Sequence, residues 1–247
     1  MSQRPVIGVL GGMGPEATVL LMQKLIARTP ARDDADHVPL LVDCNTQVPS
    51  RIAALVEGKG PSPEPVLVAM AKRLEAMGAA ALAMPCNTAH AYARAIRDAV
   101  AIPLLDMVRL AAASLAARVP PGGRIGLLGS TALGNVQLYE APLRTHGLDL
   151  LYPARQPEVM QALRGFKRRA DDPEARQMLA LAAADLVADG ADALLVACTE
   201  FSLAVDVLPD GVPVVDALDA LVEAVLEVDR QGRNSAARGT FGPPGTP

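Results

Sequence analysis

Residues 81–90 read ALAMPCNTAH, a short apolar run that stops abruptly at Pro85-Cys86-Asn87-Thr88. A run this short, closed by Pro and followed by small polar residues, reads as a buried strand that carries a side chain to the end of a sheet. The pattern returns later. Gly78-Ala-Ala-Ala-Leu-Ala-Met-Pro-Cys86 is echoed by Gly190-Ala-Asp-Ala-Leu-Leu-Val-Ala-Cys198, and Thr88 and Thr199 follow the two cysteines closely. Two more landmarks repeat. Ile7-Gly-Val-Leu-Gly-Gly12 returns as Ile125-Gly-Leu-Leu-Gly-Ser130, and Ile102-Pro-Leu-Leu-Asp106 as Val212-Pro-Val-Val-Asp216. The offset shrinks slightly from one landmark to the next, as an internal duplication with small deletions would give.

Working outward, strand patterns alternate with helical ones. This predicts an α/β fold of two pseudo-symmetric domains with parallel sheets and a cleft between them. Val6 to Leu10 is an apolar run followed by the turn Gly11-Gly12-Met13-Gly14, and Pro15-Glu16 suits the first turn of a helix. Strands are expected at 38–43, 80–84, 102–106, 125–130, 148–152, 193–197 and 212–216. Helices are expected at 52–58, 65–77, 88–100, 107–118, 133–145, 157–168 and 173–190, with a last one ending near Val228. The halves are drawn at 1–104 and 105–213, with 214–229 returning to the first. The Gly/Pro/Ser-rich stretch 230–247 is expected to be a mobile tail.

Composition narrows the class. At 247 residues the chain can bury a large core, and with 51% apolar but only 2% aromatic residues that core is built from Ala, Val, Leu, Ile and Met. A net charge of −4 argues against a nucleic-acid partner, which would need a basic patch. No run approaches the length of a membrane span, and no apolar leader follows the N-terminus. Three cysteines without paired spacing fit a reducing compartment, so a cytoplasmic protein is expected. The cysteines and His37, His90 and His146 form no zinc motif, and no Cys-x-x-Cys is present, so neither metal nor redox chemistry is expected. Gly12-Met-Gly14-Pro-Glu-Ala17 satisfies a relaxed dinucleotide pattern, but the acid expected at the end of the second strand is misplaced. Cys44 has no counterpart in the second half and is read as structural.

In parallel sheets, ligands sit at the carboxyl ends of the strands. Those ends carry Gly11 to Gly14, the loop ending in Arg51, Cys86-Asn87-Thr88, Ser130-Thr131 and Cys198-Thr199-Glu200. Each cysteine precedes an expected helix, whose N-terminus would favour the thiolate. Two thiols facing each other across a substrate suit inversion at carbon. One removes the proton from the α-carbon, and the other returns a proton from the opposite face. The carbanion between these steps needs preorganised hydrogen-bond donors around its carboxylate.

The motifs IGVLGGMGPEAT (7–18), DADHVPLLV (34–42), NTQVPSR (45–51), MPCNTAHAY (84–92), IPLLD (102–106), IGLLG (125–129) and GADALLVACTE (190–200) resemble the cofactor-independent aspartate/glutamate racemase family, closest to its aspartate racemase branch. The resemblance implies a racemase without PLP or metal, commonly a homodimer, acting on a small-molecule amino acid: aspartate first, glutamate second. It implies Cys86 and Cys198 as the catalytic pair, and Met13, Asn87, Thr88, Thr131 and Thr199 as substrate contacts. Arg51 and Lys167 fall where similar proteins hold the substrate's side-chain carboxylate. The chain departs from the family's pattern at Ser50, where Asp is frequent, and at Arg169, where Gly is frequent. Glu200 stands where the glutamate racemase branch carries His. The alternatives are a maleate isomerase or hydantoin racemase of the same superfamily, and a non-catalytic protein that binds a dicarboxylate or nucleotide.

Overall fold

The computed structural model describes residues 4–238. Its strands are β1 (Ile7–Gly11), β2 (Leu40–Cys44), β3 (Ala81–Ala83), β4 (Leu104–Leu105), β5 (Arg124–Leu128), β6 (Asp149–Leu151), β7 (Ala193–Val196) and β8 (Val214–Asp216). Its helices are α1 (Pro15–Arg28), α2 (Arg51–Leu55), α3 (Glu64–Ala76), α4 (Ala93–Ala99), α5 (Met107–Ala116), α6 (Thr131–Asn135), α7 (Glu140–Arg144), α8 (Gln156–Arg168), α9 (Pro173–Ala188) and α10 (Ala217–Arg238). The strands form two four-stranded parallel sheets, ordered β2-β1-β3-β4 and β6-β5-β7-β8. One order thus serves both halves. In each sheet the chain turns to opposite sides between the first strand and the third, and their carboxyl ends flank the crevice.

The repeated Ile-Gly has a packing cause. Gly8 pairs with Leu82, and Gly126 with Leu194. A Cβ on Gly8 would lie 2.9 Å from Leu82 Cδ2, and one on Gly126 would lie 2.8 Å from Leu194 Cδ2. The missing side chain lets α3 and α9 sit down on their sheets, against Leu74 and Leu186 respectively. β1, β3 and β7 are buried along their whole length, which is why they read as continuous apolar runs without alternation.

The helices after the last strands change partners. α5 follows β4 of the first sheet yet packs on β7 and β8 of the second. α10 follows β8 of the second sheet, yet packs on α1 and β4 of the first as well as on α5. One apolar cluster therefore runs through Ile7 and Val9, Met107 and Ala111, Ile125 and Leu127, and Leu221 and Val225. Ion pairs reinforce the return of α10, with Lys24 Nζ 2.6 Å from Asp219 and 3.3 Å from Asp216.

Four expectations change. α10 continues to Arg238, so residues 230–238 are helix, where none was expected. Buried Asp229 anchors it, taking Arg4 at 2.7 Å and Arg233 at 2.7 Å, and Gly232 lets the helix pass against Pro5. Residues 239–247 lie outside the described residues. The single helix expected at 133–145 splits into α6 and α7, because Gln137 takes a φ of 49° and turns Tyr139 into the core. No α-helix starts directly at either cysteine: the 3₁₀ segments Thr88–Tyr92 and Phe201–Val207 come first, and the former runs straight on into α4. Finally, β8 pairs with β7, so the border drawn at 213/214 cuts into the second sheet; only α10 crosses back.

The turn after β1 depends on one glycine. Gly12 has φ +85°, and a Cβ there would lie 2.4 Å from the backbone carbonyl carbon of Asn45. Gly12→Ala is expected to cost about 2–3 kcal/mol, since both the conformation and the contact resist a side chain. Urea unfolding of the two proteins measures the difference.

Candidate active site

The carboxyl ends of β1, β3, β5 and β7 converge on one cleft of about 430 Å³, open solvent at its mouth included. It is lined by Met13, Ser50, Arg51, Cys86, Asn87, Thr88, Ser130, Lys167, Cys198, Thr199 and Glu200, with Ile52, Leu163 and Ala197 as its apolar wall. Cys86 is 5% exposed and Cys198 8%. The two cysteine loops touch each other, because Thr199 Oγ1 donates to Pro85 O at 3.4 Å. This bond joins the two halves beside both sulfurs. Cys44 ends β2 on the surface as a free thiol and is not part of the cleft.

The loop after Cys86 is held from behind by His90. The Met107 N–H donates to His90 Nε2 at 3.1 Å, so the ring proton sits on Nδ1 and donates to Cys86 O at 2.9 Å. The equivalent residue four places after Cys198 is Ser202, which donates to Asp216 Oδ1 at 2.8 Å. Each half thus ties its cysteine turn to the end of its last strand. Burial pulls the His90 pKa below its ordinary 6.5, with the hydrogen bond to the Cys86 carbonyl opposing. The unfolded chain therefore binds a proton that folded His90 refuses, and stability falls as pH drops below about 6.5. His90→Gln keeps a donor and an acceptor but does not titrate. Denaturation midpoints across this pH range should fall less steeply in that variant than in the parent.

The two cysteines have different neighbours. Cys86 Sγ lies 3.5 Å from the Thr88 hydroxyl. Cys198 Sγ donates to Glu200 Oε2 at 2.9 Å, and Lys167 Nζ lies 3.5 Å from Glu200 Oε1. Burial pushes the Cys198 thiol well up, the Glu200 carboxylate adds to this, and Lys167 opposes it. The expectation that a helix N-terminus makes Cys198 a ready thiolate is overturned. The following segment is a 3₁₀ turn, and a carboxylate rather than a helix dipole faces the sulfur.

Among the described residues, three buried polar atoms of the cleft lining have no partner: Arg51 Nε, and Asn87 Nδ2 and Ser130 Oγ, the latter two each on a residue 4% exposed. The Tyr139 hydroxyl donates to Asn87 Oδ1 and fixes the amide. Burial drives the Tyr139 phenol well above its ordinary pKa, with Asp106 and Asp216 adding to this, so it stays a donor. Uncompensated buried donors are costly unless a ligand satisfies them.

The structure brings together Met13, Arg51, Cys86, Asn87, Thr88, Lys167, Cys198 and Thr199, but not Thr131. The Thr131 hydroxyl accepts from Gln156 Nε2 at 3.3 Å and sits at the start of α6. Its neighbour Ser130 lines the cleft in its place. Arg51 is committed to the scaffold: Nη1 donates to Val48 O at 3.3 Å and Pro49 O at 3.0 Å, and Nη2 donates to Met13 O at 3.2 Å. Only its buried Nε has no partner. Sequence reasoning missed Ser130 as a donor and Glu200 as the partner of Cys198. A polar residue at a repeated strand end, and an acid two places after a thiol, were the available signals.

Comparisons with known proteins identify the family and the fold. The chain is 23% identical over 226 residues to the broad specificity amino-acid racemase RacX of Bacillus subtilis, covering 90% of this chain and 96% of that one. Its fold matches the aspartate racemase of Picrophilus torridus with a TM-score of 0.80 at 28% identity, covering 93% and 98% of the two chains. It also matches the glutamate racemase isoform RacE1 of Bacillus anthracis with a TM-score of 0.68 at 19% identity, over 94% and 83%, a likeness of fold alone. Residues 10–225 match the Asp/Glu/Hydantoin racemase family, the chain belongs to that family, and it is an isomerase of the racemase kind.

Proposed function

We propose that the chain inverts the α-carbon of an amino acid with two thiols and without PLP or metal. The observation that carries this reading is the pair Cys86 and Cys198, at equivalent strand ends of the two sheets, lining one cleft. In one direction the Cys86 thiolate takes the α-proton and a planar carbanion forms. The Cys198 thiol then delivers its proton to the opposite face, leaving Cys86 protonated and Cys198 as thiolate. The reverse direction exchanges the roles. Asn87 Nδ2 and Ser130 Oγ are the free donors on hand for the substrate carboxylate, where negative charge builds up. Met13, Thr88 and Thr199 complete the wall around it.

Acidic amino acids, aspartate first and glutamate second, are the substrates this reading favours. Lys167 and the unpartnered Arg51 Nε are its cationic groups. A broader amino acid range is the second reading. Glu200 already occupies Lys167, and the two Nη atoms of Arg51 are engaged by backbone. A panel of single enantiomers incubated in heavy water tests both. Deuterium entering the α-carbon with inversion supports racemisation, and the ranking of substrates chooses between acidic and broad. No exchange across the panel ends the reading. A homodimer belongs to the same proposal. Val19 and Ile26 expose apolar surface on α1, at 52% and 57%, on one face of the helix. Light scattering of the purified chain tests it.

A further inference from the structure

The two thiols are chemically unequal, and the inequality traces to one side chain. Phe201 N–H donates to Cys198 O at 2.9 Å, closing a turn that folds Glu200 back over the sulfur. Phe201 packs edge-on against Phe166 with ring centroids 5.8 Å apart. Phe166 precedes Lys167 on α8, so this aromatic contact places the Lys167 ammonium beside the Glu200 carboxylate. The result is a chain of contacts: Cys198 Sγ–H to Glu200 Oε2, and Glu200 Oε1 to Lys167 Nζ. Cys86 has only the Thr88 hydroxyl in the corresponding place.

We propose that Glu200 is a positioning residue for Cys198: its carboxylate holds the sulfur protonated and aimed, so that the resting enzyme offers Cys198 as a proton donor. The proposal rests on the two-thiol reading for its catalytic meaning, but not for its test. The charged groups bearing on Cys198 are Glu200 on its own turn and Lys167 on α8. They act in opposite directions: the carboxylate disfavours the thiolate, and the ammonium favours it. Because racemisation has an equilibrium constant of one, the imbalance leaves kcat/KM equal for the two enantiomers. It falls instead on kcat and KM separately, and on their pH dependence.

The test is a thiol titration. With Cys44→Ser and Cys86→Ser in place, Cys198 is the chain's remaining cysteine. Its thiolate absorbance is followed against pH, with a protein lacking all three cysteines subtracted. Glu200→Gln keeps the shape and removes the charge. It should lower the Cys198 midpoint by about one unit, a tenfold rise in thiolate below the midpoint. Lys167→Met should move the midpoint upward, and Glu200→Asp should restore part of the parent value. In the chain with its cysteines intact, Glu200→Gln should also bring the alkaline fall of kcat to lower pH. A midpoint unchanged by Glu200→Gln, or moved the same way by Glu200→Gln and Lys167→Met, overturns the proposal. If no amino acid is turned over, the titration still decides the role of Glu200, so the two readings fail separately.

Discussion

Cys86→Ser and Cys198→Ser should each lower kcat/KM for racemisation by about 10³-fold, because each removes the proton-transfer group from one face of the substrate. A serine hydroxyl fits either site but neither gives up nor holds a proton as a thiol does near neutral pH. The variants should differ in what survives. Cys198→Ser keeps Cys86, which can take an α-proton and return a deuteron to the same face, so one enantiomer exchanges in heavy water with retention. Cys86→Ser leaves only Cys198, which Glu200 and burial hold in the thiol form. Exchange should therefore be much weaker in Cys86→Ser for either enantiomer. Mass spectrometry of the recovered amino acid, with chiral chromatography, measures both quantities. Racemisation within tenfold of the parent in both variants would remove the two-thiol mechanism.

Asn87→Ala should lower kcat/KM by about 10²-fold, the scale seen when one preorganised donor is withdrawn from a developing anion. Asn87 Nδ2 is buried and unpartnered in the cleft while its oxygen is held by Tyr139. The amide is thus oriented before any ligand arrives. Alanine removes the donor and also strands the buried Tyr139 hydroxyl, with a stability loss of about 1–3 kcal/mol. Tyr139→Phe separates the two effects. It gives up the bond to Asn87 Oδ1 but leaves Nδ2 in the cleft, so it should destabilise the protein while lowering kcat/KM far less than Asn87→Ala. Equal kinetic losses in the two variants would mean that Asn87 acts through the packing around Tyr139 and not through its free amide.

The strands and the convergence of the cysteines were legible because parallel strands buried on both faces leave unbroken apolar runs, and because Gly8 and Gly126 mark the same close approach twice. What was not legible depended on side chains meeting from distant parts of the chain. The Arg230–Arg238 stretch is helical because Asp229 meets Arg4 and Gly232 meets Pro5, contacts that no local window contains. The split between α6 and α7 is driven by burying Tyr139 and its bond to Asn87. In the cleft, the engagement of the cationic side chains was not legible either. Lys167 lines the cleft but is engaged by Glu200, and Arg51 commits its Nη atoms to the loops around it. Charge alone could not reveal that, because the partners come together from separate elements of the chain.

The exchange of α5 and α10 between the sheets bears on how the molecule comes apart. Each sheet is covered partly by the helix that follows the other, and a single apolar cluster runs through both. Each half also keeps a smaller apolar cluster of its own, around Leu67 and Leu82 in the first and around Leu163 and Leu194 in the second. The shared cluster couples the two halves, so calorimetry is expected to show a single unfolding transition rather than two.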